Sequence, residues 1–437
     1  MKNLNETHDP QLRSWVDGSA PGSTDFPIQN LPFGRFRTSA DGRPRIGVAI
    51  GSQILDLALA HGGGLLGALS PAMAAACRAQ WLNPLMGMPA VEVSALRLAL
   101  SRLLRVGSVQ QMAAAACLVE ADAVELLLAA DVRSFSDFYT SIHHARTTGS
   151  MSRPANPLLP NFQHLPPAYH GRASTLRVSG TPLVRPHGEQ LPAGAAVPVF
   201  GPTQKMDFEC ELAIHVGAGN ALGEQIPLRH APASIFGVGL LNDWSARDVQ
   251  AWEAQPLGPF LGKSALTSVS PWIVTLEALA PYRVPAAPRE AGAPALLPHL
   301  DDVDDRTSGG LDIALEVWLQ TDERRARGEG PALLSRPRFK DQYWTVAQML
   351  THQTSNGCQA EPGDILGSGT VSGPVDAERG CLLEITRGGT RTIELAGGDR
   401  RTWLEDGDEV SFKARCTAEG AVAIGFGECT GRVTPAV

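Results

Sequence analysis

The 437-residue sequence has few charged side chains and no run of basic residues. Asp, Glu, Lys and Arg make up 19% of the chain, and the formal net charge is −8. Binding to nucleic acid or to an anionic membrane surface usually requires a cluster of Lys and Arg, so neither is an expected partner. The N-terminus lacks the apolar segment of a signal peptide, and no apolar run reaches the length of a membrane span. We therefore expect a soluble cytoplasmic protein.

Several sequence motifs of common enzyme classes are also missing. The seven cysteines are odd in number and form no Cys-x-x-Cys pair, which argues against a disulfide framework and a thiolate zinc site. The chain has no phosphate-binding loop, no His-Glu-x-x-His and no Gly-x-Ser-x-Gly. In the segment 217–223 the third glycine comes one residue late for a dinucleotide fingerprint. These absences argue against Rossmann oxidoreductases, kinases, zinc proteases and serine hydrolases.

Glycine and proline are abundant instead, with 45 and 33 residues, which is typical of a turn-rich protein with many strands. The pattern predicts a hairpin over residues 46–57. It then predicts a helix capped by Ser94, with a buried face made of Leu96, Leu100, Leu103 and Leu104. Near residue 130 the Ala-rich periodicity gives way to strand and turn signals. We therefore expect an N-terminal domain of residues 1–130 and a single C-terminal domain of residues 131–437.

The C-terminal domain is predicted to be mostly β, which makes the whole chain an α+β protein. A short helix is expected near residues 343–350, and the segment 281–310 with its acidic residues 301–305 is expected to be a solvated surface excursion. Strand-like runs recur between Gly and Pro residues at positions 212–216, 272–276, 313–319, 381–386, 392–395 and 409–414.

One stretch, 206–217, alternates apolar and acidic residues with the period of a half-buried strand. Asp207, Glu209 and Glu211 would then lie on one face, each about 7 Å from the next. Neighbouring like charges repel unless water or a cation lies between them. The stretch is therefore either a solvated outer face or one wall of a cation site, and further carboxylates elsewhere would favour the second interpretation.

Two further segments carry suitable carboxylates. Asp137 is closely followed in sequence by a tyrosine and two histidines. Asp243 follows an apolar run that would form a buried strand, so Asp243 would lie at the end of that strand. With Glu209 and Glu211 they offer four oxygen donors, a set that suits Ca²⁺ or Mg²⁺, with Mn²⁺ as an alternative, and does not suit zinc. Spacing alone leaves structural alternatives open, such as a turn cap at Asp137 or an ion pair between Asp243 and Arg247.

A series of ordered motifs extends over nearly the whole chain. Its first members are Asp-Phe-Tyr-x-Ser-x-x-His at 137–144, Tyr-His-Gly-Arg-Ala-Ser at 169–174, Ser-Gly-Thr-Pro at 179–182, Glu-x-Glu at 209–211 and Asn-Asp-Trp-Ser-Ala-Arg-Asp at 242–248. The others are Asp-Phe-Pro-Ile-Gln-Asn-Leu-Pro at 25–32, Pro-Leu-Gly-Pro-Phe-Leu-Gly-Lys-Ser at 256–264, Gly-Thr-Val-Ser-Gly-Pro at 369–374 and Ile-Gly-Phe-Gly-Glu-Cys at 424–429. In this combination the sequence resembles the fumarylacetoacetate hydrolase family.

The resemblance implies a fold, an assembly and a reaction. The fold would be a small N-terminal SH3-like barrel followed by a large C-terminal mixed β-sandwich roll, and the assembly would be a homodimer. The reaction would be hydrolysis of the carbon–carbon bond of 4-fumarylacetoacetate, a small diketo dicarboxylate. Its products, fumarate and acetoacetate, end the catabolism of tyrosine and phenylalanine.

The resemblance also implies roles for individual residues. The general base would be His144, and its acidic partner would be Glu384. Ca²⁺ would be bound by Asp137, Glu209, Glu211 and Asp243, and Mg²⁺ would lie near Asp243, Lys263 and Thr267. Developing negative charge would be stabilised by Arg247, Gln250 and Lys263. Contacts with the substrate would be made by Tyr139, Arg153, Tyr169, Gln250 and Thr370.

One position departs from the family pattern. The family has a second substrate-contacting tyrosine four residues after Gln250, where this chain has Ala254. This change leaves open a related hydrolase that acts on another acylpyruvate or 1,3-diketone. A different class, a catalytically silent dimeric scaffold stabilised by metal, is disfavoured because His144, Glu384 and Lys263 are present together.

Overall fold

The structure is a computed structural model, and it describes residues 4–437. Over residues 4–130 the strands are β1 (Phe33–Thr38), β2 (Arg45–Ile50), β3 (Gln53–Asp56), β4 (Leu118–Glu120) and β5 (Val124–Leu127). The α-helices of this part, all between β3 and β4, are α1 (Leu57–Gly62), α2 (Pro71–Ala76), α3 (Asn83–Met86), α4 (Ala90–Leu104) and α5 (Gln111–Ala115).

The predicted hairpin and helix of the N-terminal part both form. β2 and β3 pair antiparallel, with Ile50 opposite Gln53. The predicted apolar face of α4 is buried at Leu96, Leu100, Leu103 and Leu104. The predicted cap at Ser94 is wrong. A cap residue precedes the first helical residue, and α4 starts at Ala90, so the cap position is occupied by Pro89. Ser94 lies inside α4 and donates a hydrogen bond to Glu277 instead (2.9 Å).

From residue 131 onward strands dominate. The first group is β6 (Phe135–Phe138), β7 (Ala168–His170), β8 (Leu176–Val178), β9 (Leu183–Val184), β10 (His187–Gln190), β11 (Val199–Pro202), β12 (Met206–Asp207), β13 (Cys210–Val216), β14 (Ile235–Asp243), β15 (Ser245–Ala246), β16 (Thr267–Val269) and β17 (Trp272–Thr275). The second group is β18 (Arg283–Val284), β19 (Gly310–Leu311), β20 (Ile313–Gln320), β21 (Ala332–Ser335), β22 (Ile365–Gly367), β23 (Ile393–Glu394), β24 (Arg400–Arg401), β25 (Glu409–Cys416) and β26 (Ile424–Thr434).

Six α-helices interrupt these strands, and they carry several of the polar side chains discussed below. They are α6 (Ile142–Ser152), α7 (Arg247–Glu253), α8 (Val303–Ser308), α9 (Asp322–Ala326), α10 (Val346–Thr354) and α11 (Leu382–Ile385). The helix predicted near 343–350 corresponds to α10, which Thr345 and Gln348 begin as a capping box.

A large mixed sheet connects the two parts of the chain. Its main path runs β4-β3-β2-β1-β17-β14-β13-β22-β6-β7, and β1 pairs antiparallel with β17 through Phe33 and Ile273. A second sheet, β21-β20-β25-β26-β9, packs against it, and β14 of the large sheet contacts β26. β13 and β14 lie in the middle of the large sheet, and every residue of both strands is buried. The sequence prediction of a sheet-rich α+β protein is therefore confirmed.

One further prediction about local structure is wrong and another holds only in part, and each has a tertiary cause. The run 381–386 forms the short helix α11 and not a strand, because its first backbone N–H groups are bound by Asp207 from a distant part of the chain. The acidic cluster 301–305 is not wholly solvated: Asp302 caps α8, and Asp305 is buried where it accepts a hydrogen bond from Thr345 (2.9 Å).

The acidic stretch 206–217 is not one regular strand. β12 ends at Asp207 and pairs with β15, and β13 begins only at Cys210, so the chain is irregular at Glu209. Asp207 forms a buried ion pair with Arg247. Along residues 4–437 no helix is long and apolar enough to cross a membrane.

Candidate active site

Four buried carboxylates meet at the centre of the large sheet. Asp137 lies in β6, Glu211 in β13, Asp243 at the end of β14, and Glu209 in the irregular segment before β13. One oxygen from each lies within 4.8 Å of the others. The order of the sheet explains this convergence, because β14, β13, β22 and β6 are successive neighbours in it.

The cluster carries more negative charge than its surroundings neutralise. Burial, and then the neighbouring carboxylates, raise the pKa of both Asp137 and Glu211 well above the usual range. Oδ1 of Asp137 and Oε1 of Glu211 are buried without a hydrogen-bond partner among residues 4–437. A Cβ atom on residue 367 would lie 2.7 Å from Asp137 Oδ1, and Gly367 keeps that space free. Orphaned acidic oxygens of this kind fit a hard divalent cation.

A buried lysine and two hydroxyl groups complete this side of the site. Lys263 Nζ lies 2.8 Å from Asp243 Oδ2 and also contacts Glu209. Burial lowers the pKa of Lys263, but Asp243 and Glu209 more than compensate, so the pKa is raised and the ammonium stays charged. Thr267 and Tyr169 donate hydrogen bonds to the two oxygens of Asp243 (3.0 and 2.9 Å). These contacts fix the orientation of the Asp243 carboxylate.

Arg247, the first residue of α7, lies between two acids. Its Nε is 2.8 Å from Asp207 Oδ2, and its Nη1 is 2.8 Å from Glu209 Oε1. Nη1 also donates to the side-chain oxygen of Gln250 (3.1 Å). Nη2 is buried and has no hydrogen-bond partner in the described part of the chain, so it can still bind an anionic oxygen. The alternative ion pair between Asp243 and Arg247 does not form.

A histidine and a glutamate form a second buried group. Nδ1 of His144 lies 2.8 Å from Oε2 of Glu384. Ser141 caps α6 through the backbone N–H of His144 (3.1 Å), and the carbonyl oxygen of Ser372 accepts a hydrogen bond from Ser141 (2.8 Å). The hydroxyl of Ser372 in turn donates to Glu384 Oε2 (2.5 Å). The imidazole and its carboxylate are therefore held by a connected network.

The electrostatic state of Glu384 suits a partner of histidine. Burial raises its pKa, but His144 and the hydrogen bond of Ser372 more than offset this, so the pKa is lowered and the carboxylate stays ionised. A charged carboxylate on Nδ1 fixes the ring orientation and tautomer and leaves Nε2 to exchange a proton.

The residues predicted to contact the substrate do not all lie in the buried site. The ring of Tyr139 lies edge-on to His144 with centroids 5.1 Å apart, and its hydroxyl contacts Thr148 (2.5 Å). Thr370 is buried, and its Oγ1 has no partner among residues 4–437. Arg153 is different: it lies exposed beyond the end of α6, and its guanidinium donates a long hydrogen bond (3.4 Å) to the Pro157 carbonyl. The structure shows no hydrogen bond or ion pair between Arg153 and another predicted site residue.

Sequence reasoning assigned no role to three residues that touch the site. Ser372 binds Glu384, Gly367 makes room beside Asp137, and Asp207 binds Arg247. Ser372 lies in a motif that was noted, 369–374, and Asp207 was noted for its charge. Their partners, however, are far away in sequence, and no local pattern indicates those contacts.

The chain belongs to a family of metabolic hydrolases. The family model for the fumarylacetoacetate hydrolase C-terminal region matches residues 133–434, and the model for the fumarylacetoacetase N-terminal region matches residues 29–129. Together these matches cover most of the sequence. The chain is therefore a member of the fumarylacetoacetate hydrolase family, as the motifs predicted.

Individual relatives agree with the family match. The fumarylacetoacetase of Oryza sativa subsp. japonica is 44% identical over 434 residues, which is 98% of this chain and 98% of that one. The fumarylacetoacetase of Homo sapiens is 44% identical over 423 residues, 95% of this chain and 97% of that one. Among solved structures, a fumarylacetoacetate hydrolase from Exiguobacterium antarcticum covers 93% of this chain and 99% of its own, with 18% identity and a TM-score of 0.49.

Proposed function

We propose that the protein hydrolyses the carbon–carbon bond of 4-fumarylacetoacetate to fumarate and acetoacetate, the last step of tyrosine and phenylalanine catabolism. Two relatives named fumarylacetoacetase share 44% of its residues over nearly the full chain. The observation that carries the proposal is the His144–Glu384 pair, which contains a base and its orienting acid. It lies in the same buried region as a four-carboxylate cluster suited to a divalent cation.

The carboxylate cluster is proposed to hold Ca²⁺, with Mg²⁺ or Mn²⁺ as further candidates. Oxygen-only donors and the orphaned atoms of Asp137 and Glu211 support this choice. We assign Asp137, Glu209, Glu211 and Asp243 as ligands and place a Mg²⁺ position near Lys263 and Thr267. When bound, the cation would act as a Lewis acid toward the two diketone oxygens of the substrate.

His144 is proposed to remove a proton from the attacking water. The ionised Glu384 on Nδ1 stabilises the imidazolium that forms and prevents the ring from turning. Addition of the deprotonated water to the substrate carbonyl gives a tetrahedral alkoxide. Collapse of that alkoxide breaks the carbon–carbon bond and releases acetoacetate as its enolate, which takes up the proton held by the His144 imidazolium.

Three donors are proposed to stabilise the negative charge on the alkoxide: Arg247, Gln250 and Lys263. The free Nη2 of Arg247 supports this role, and loss of one such donor typically costs about 3–4 kcal/mol in the barrier. We propose substrate contacts from Tyr139, Arg153, Tyr169, Gln250 and Thr370. Arg153 would bind a substrate carboxylate, which requires its exposed guanidinium to leave the Pro157 carbonyl.

A second candidate substrate follows from Ala254. This residue directly follows the end of α7, four positions after Gln250, and its methyl group provides neither the ring nor the hydroxyl that the resemblance led us to expect. A differently shaped acylpyruvate or 1,3-diketone would then be the better substrate.

The finer architecture is also proposed. We assign residues 1–130 to an SH3-like barrel domain and residues 131–437 to a β-sandwich roll that carries the site. A homodimer is supported by large apolar side chains that are exposed in the single chain, among them Phe200, Trp252, Leu257 and Phe260. The cytoplasmic location stays a prediction from the sequence.

Product analysis tests the proposed function. Purified protein is incubated with fumarylacetoacetate and, separately, with a panel of acylpyruvates, and the products are separated by chromatography. Equal amounts of fumarate and acetoacetate are the expected result. Turnover restricted to another diketone would favour the second candidate, and no turnover of any substrate with Ca²⁺ or Mg²⁺ present would favour a silent scaffold.

A further inference from the structure

Asp207 is a fully buried carboxylate whose two oxygens each accept two hydrogen bonds. Oδ1 accepts from the backbone N–H groups of Phe208 (2.8 Å) and Leu382 (2.7 Å). Oδ2 accepts from the backbone N–H of Leu383 (3.0 Å) and from Nε of Arg247 (2.8 Å). A side chain that joins one strand end to two distant segments fixes the position of those segments relative to each other.

Both distant segments carry residues of the proposed mechanism. Leu382 and Leu383 open the four-residue helix α11, whose third residue is Glu384, the partner of His144. Such a short helix has little stability of its own, because the first turn must be nucleated by outside contacts. Arg247 opens α7 and contacts the proposed ligand Glu209. Asp207 therefore lies between the His144–Glu384 pair and the four-carboxylate cluster without belonging to either.

We infer that Asp207 is a positioning residue, which holds Glu384 against His144 and Arg247 against Glu209 in one fixed arrangement. The expected effect on turnover rests on the proposed function, whereas the placement of Glu384 and Arg247 by Asp207 does not. The same contact explains why the strand-like run 381–386 is helical.

An isosteric amide cannot replace this carboxylate. All four partners of Asp207 are donors, and an asparagine presents one acceptor oxygen and one NH₂ group, which is itself a donor. Whichever way the amide turns in Asp207→Asn, two buried N–H groups would face another donor. Asp207→Glu keeps the charge but moves the oxygens by one methylene group, so it should preserve part of the contact.

The experiment compares Asp207→Asn and Asp207→Glu with a matched control, Asp408→Asn. Asp408 is also fully buried and binds an arginine, Arg401 (2.9 Å), together with a backbone N–H, that of Glu405 (2.9 Å), but it has no contact with the site. Amide hydrogen exchange of the peptide 381–388 is measured without substrate, and kcat and KM are measured separately. The variants are also made in the Glu384→Gln background.

The expected exchange of Leu382 and Leu383 is at least about tenfold faster in Asp207→Asn, intermediate in Asp207→Glu and unchanged in Asp408→Asn. The expected kcat of Asp207→Asn falls on the order of 10–100-fold, more than KM changes, as for other outer partners of site residues. In the Glu384→Gln background the same substitution should lower kcat much less, because one of the two residues that Asp207 positions is already lost.

Unchanged exchange at 381–388, or equal acceleration in the Asp408→Asn control, would overturn the inference. Full additivity of Asp207→Asn and Glu384→Gln would also overturn it, since a merely structural residue acts independently of Glu384. If Asp207→Asn does not fold, the graded response of Asp207→Glu decides. A wild-type protein that does not hydrolyse fumarylacetoacetate would contradict the proposed function, while the exchange measurement would still test the positioning of α11.

Discussion

Nδ1 of His144 lies 2.8 Å from Oε2 of Glu384, although the two residues belong to different short helices, α6 and α11. Each helix is held at its start by a side-chain oxygen: Ser141 binds the N–H of His144, and Asp207 binds the N–H groups of Leu382 and Leu383. The pair is therefore held by the hydrogen bonds at the two helix starts as well as by the attraction between the imidazole and the carboxylate.

Replacement of His144 should greatly reduce hydrolysis and leave cation binding nearly unchanged. His144→Ala removes the proposed base, and loss of a general base typically lowers kcat on the order of 10²–10⁴-fold. Cation affinity, measured by calorimetry, should stay near the wild-type value because the imidazole is outside the carboxylate cluster. His143→Ala is the matched control on the same helix. Full turnover by His144→Ala would refute the base assignment.

Glu211→Gln should weaken cation binding and at the same time stabilise the cation-free protein. In the cation-free state burial and the neighbouring acids raise the pKa of Glu211 and so disfavour its charged form, and a neutral amide avoids the free-energy cost of burying or protonating this carboxylate. The expected melting temperature of the cation-free variant is higher than that of the cation-free wild type. Added Ca²⁺ should then raise the wild-type value more than that of the variant. A Ca²⁺-induced shift of equal size in both proteins would count against Glu211 as a ligand.

A tyrosine at position 254 should improve binding of fumarylacetoacetate. A new hydrogen bond of about 1 kcal/mol corresponds to a KM roughly fivefold lower in Ala254→Tyr. Ala254→Phe is the control, since it adds the ring without the hydroxyl. If neither substitution changes KM, position 254 does not face the substrate.

Asp305 should make the stability of the protein depend on pH between about 4 and 7. Burial raises the pKa of Asp305 to about 6, above its value in the unfolded chain. An acid with a raised folded pKa stabilises the fold while it is protonated. This contribution is complete below the unfolded pKa of about 4 and is lost as the pH rises from there through 6. The wild type should therefore lose roughly 1 kcal/mol more than Asp305→Asn between pH 5 and pH 7.5, measured as free energy of unfolding in urea. An identical pH response of both proteins would show that Asp305 is already ionised.

The sequence predicted those features that depend on local pattern. The 45–56 hairpin, the buried leucines of α4 and the strands β13, β20 and β25 each follow from the spacing of apolar residues. The four carboxylates were identified by type, and the structure brings them within 4.8 Å of one another. Their convergence could not follow from spacing, because it depends on the order of β14, β13, β22 and β6 in the sheet.

The errors arose where a distant side chain decides local structure. The run 381–386 has the composition of a strand, but Asp207 binds its first N–H groups and the chain turns into α11. The alternating pattern predicted Asp207 on the same strand face as Glu209 and Glu211. The stretch is instead divided into β12 and β13, and Asp207 is fully buried in an ion pair with Arg247.

Loss of the diketone absorbance of fumarylacetoacetate is the most direct measurement of the proposed reaction. The protein is stripped of cations with a chelator, and its activity is followed before and after titration with Ca²⁺ or Mg²⁺, with His144→Ala in parallel. We expect no turnover in the chelated protein, recovery to the starting rate on addition of the cation, and no recovery in the variant. Full turnover in the chelated protein, or restored turnover in His144→Ala, would contradict a cation-dependent hydrolysis that uses His144 as its base.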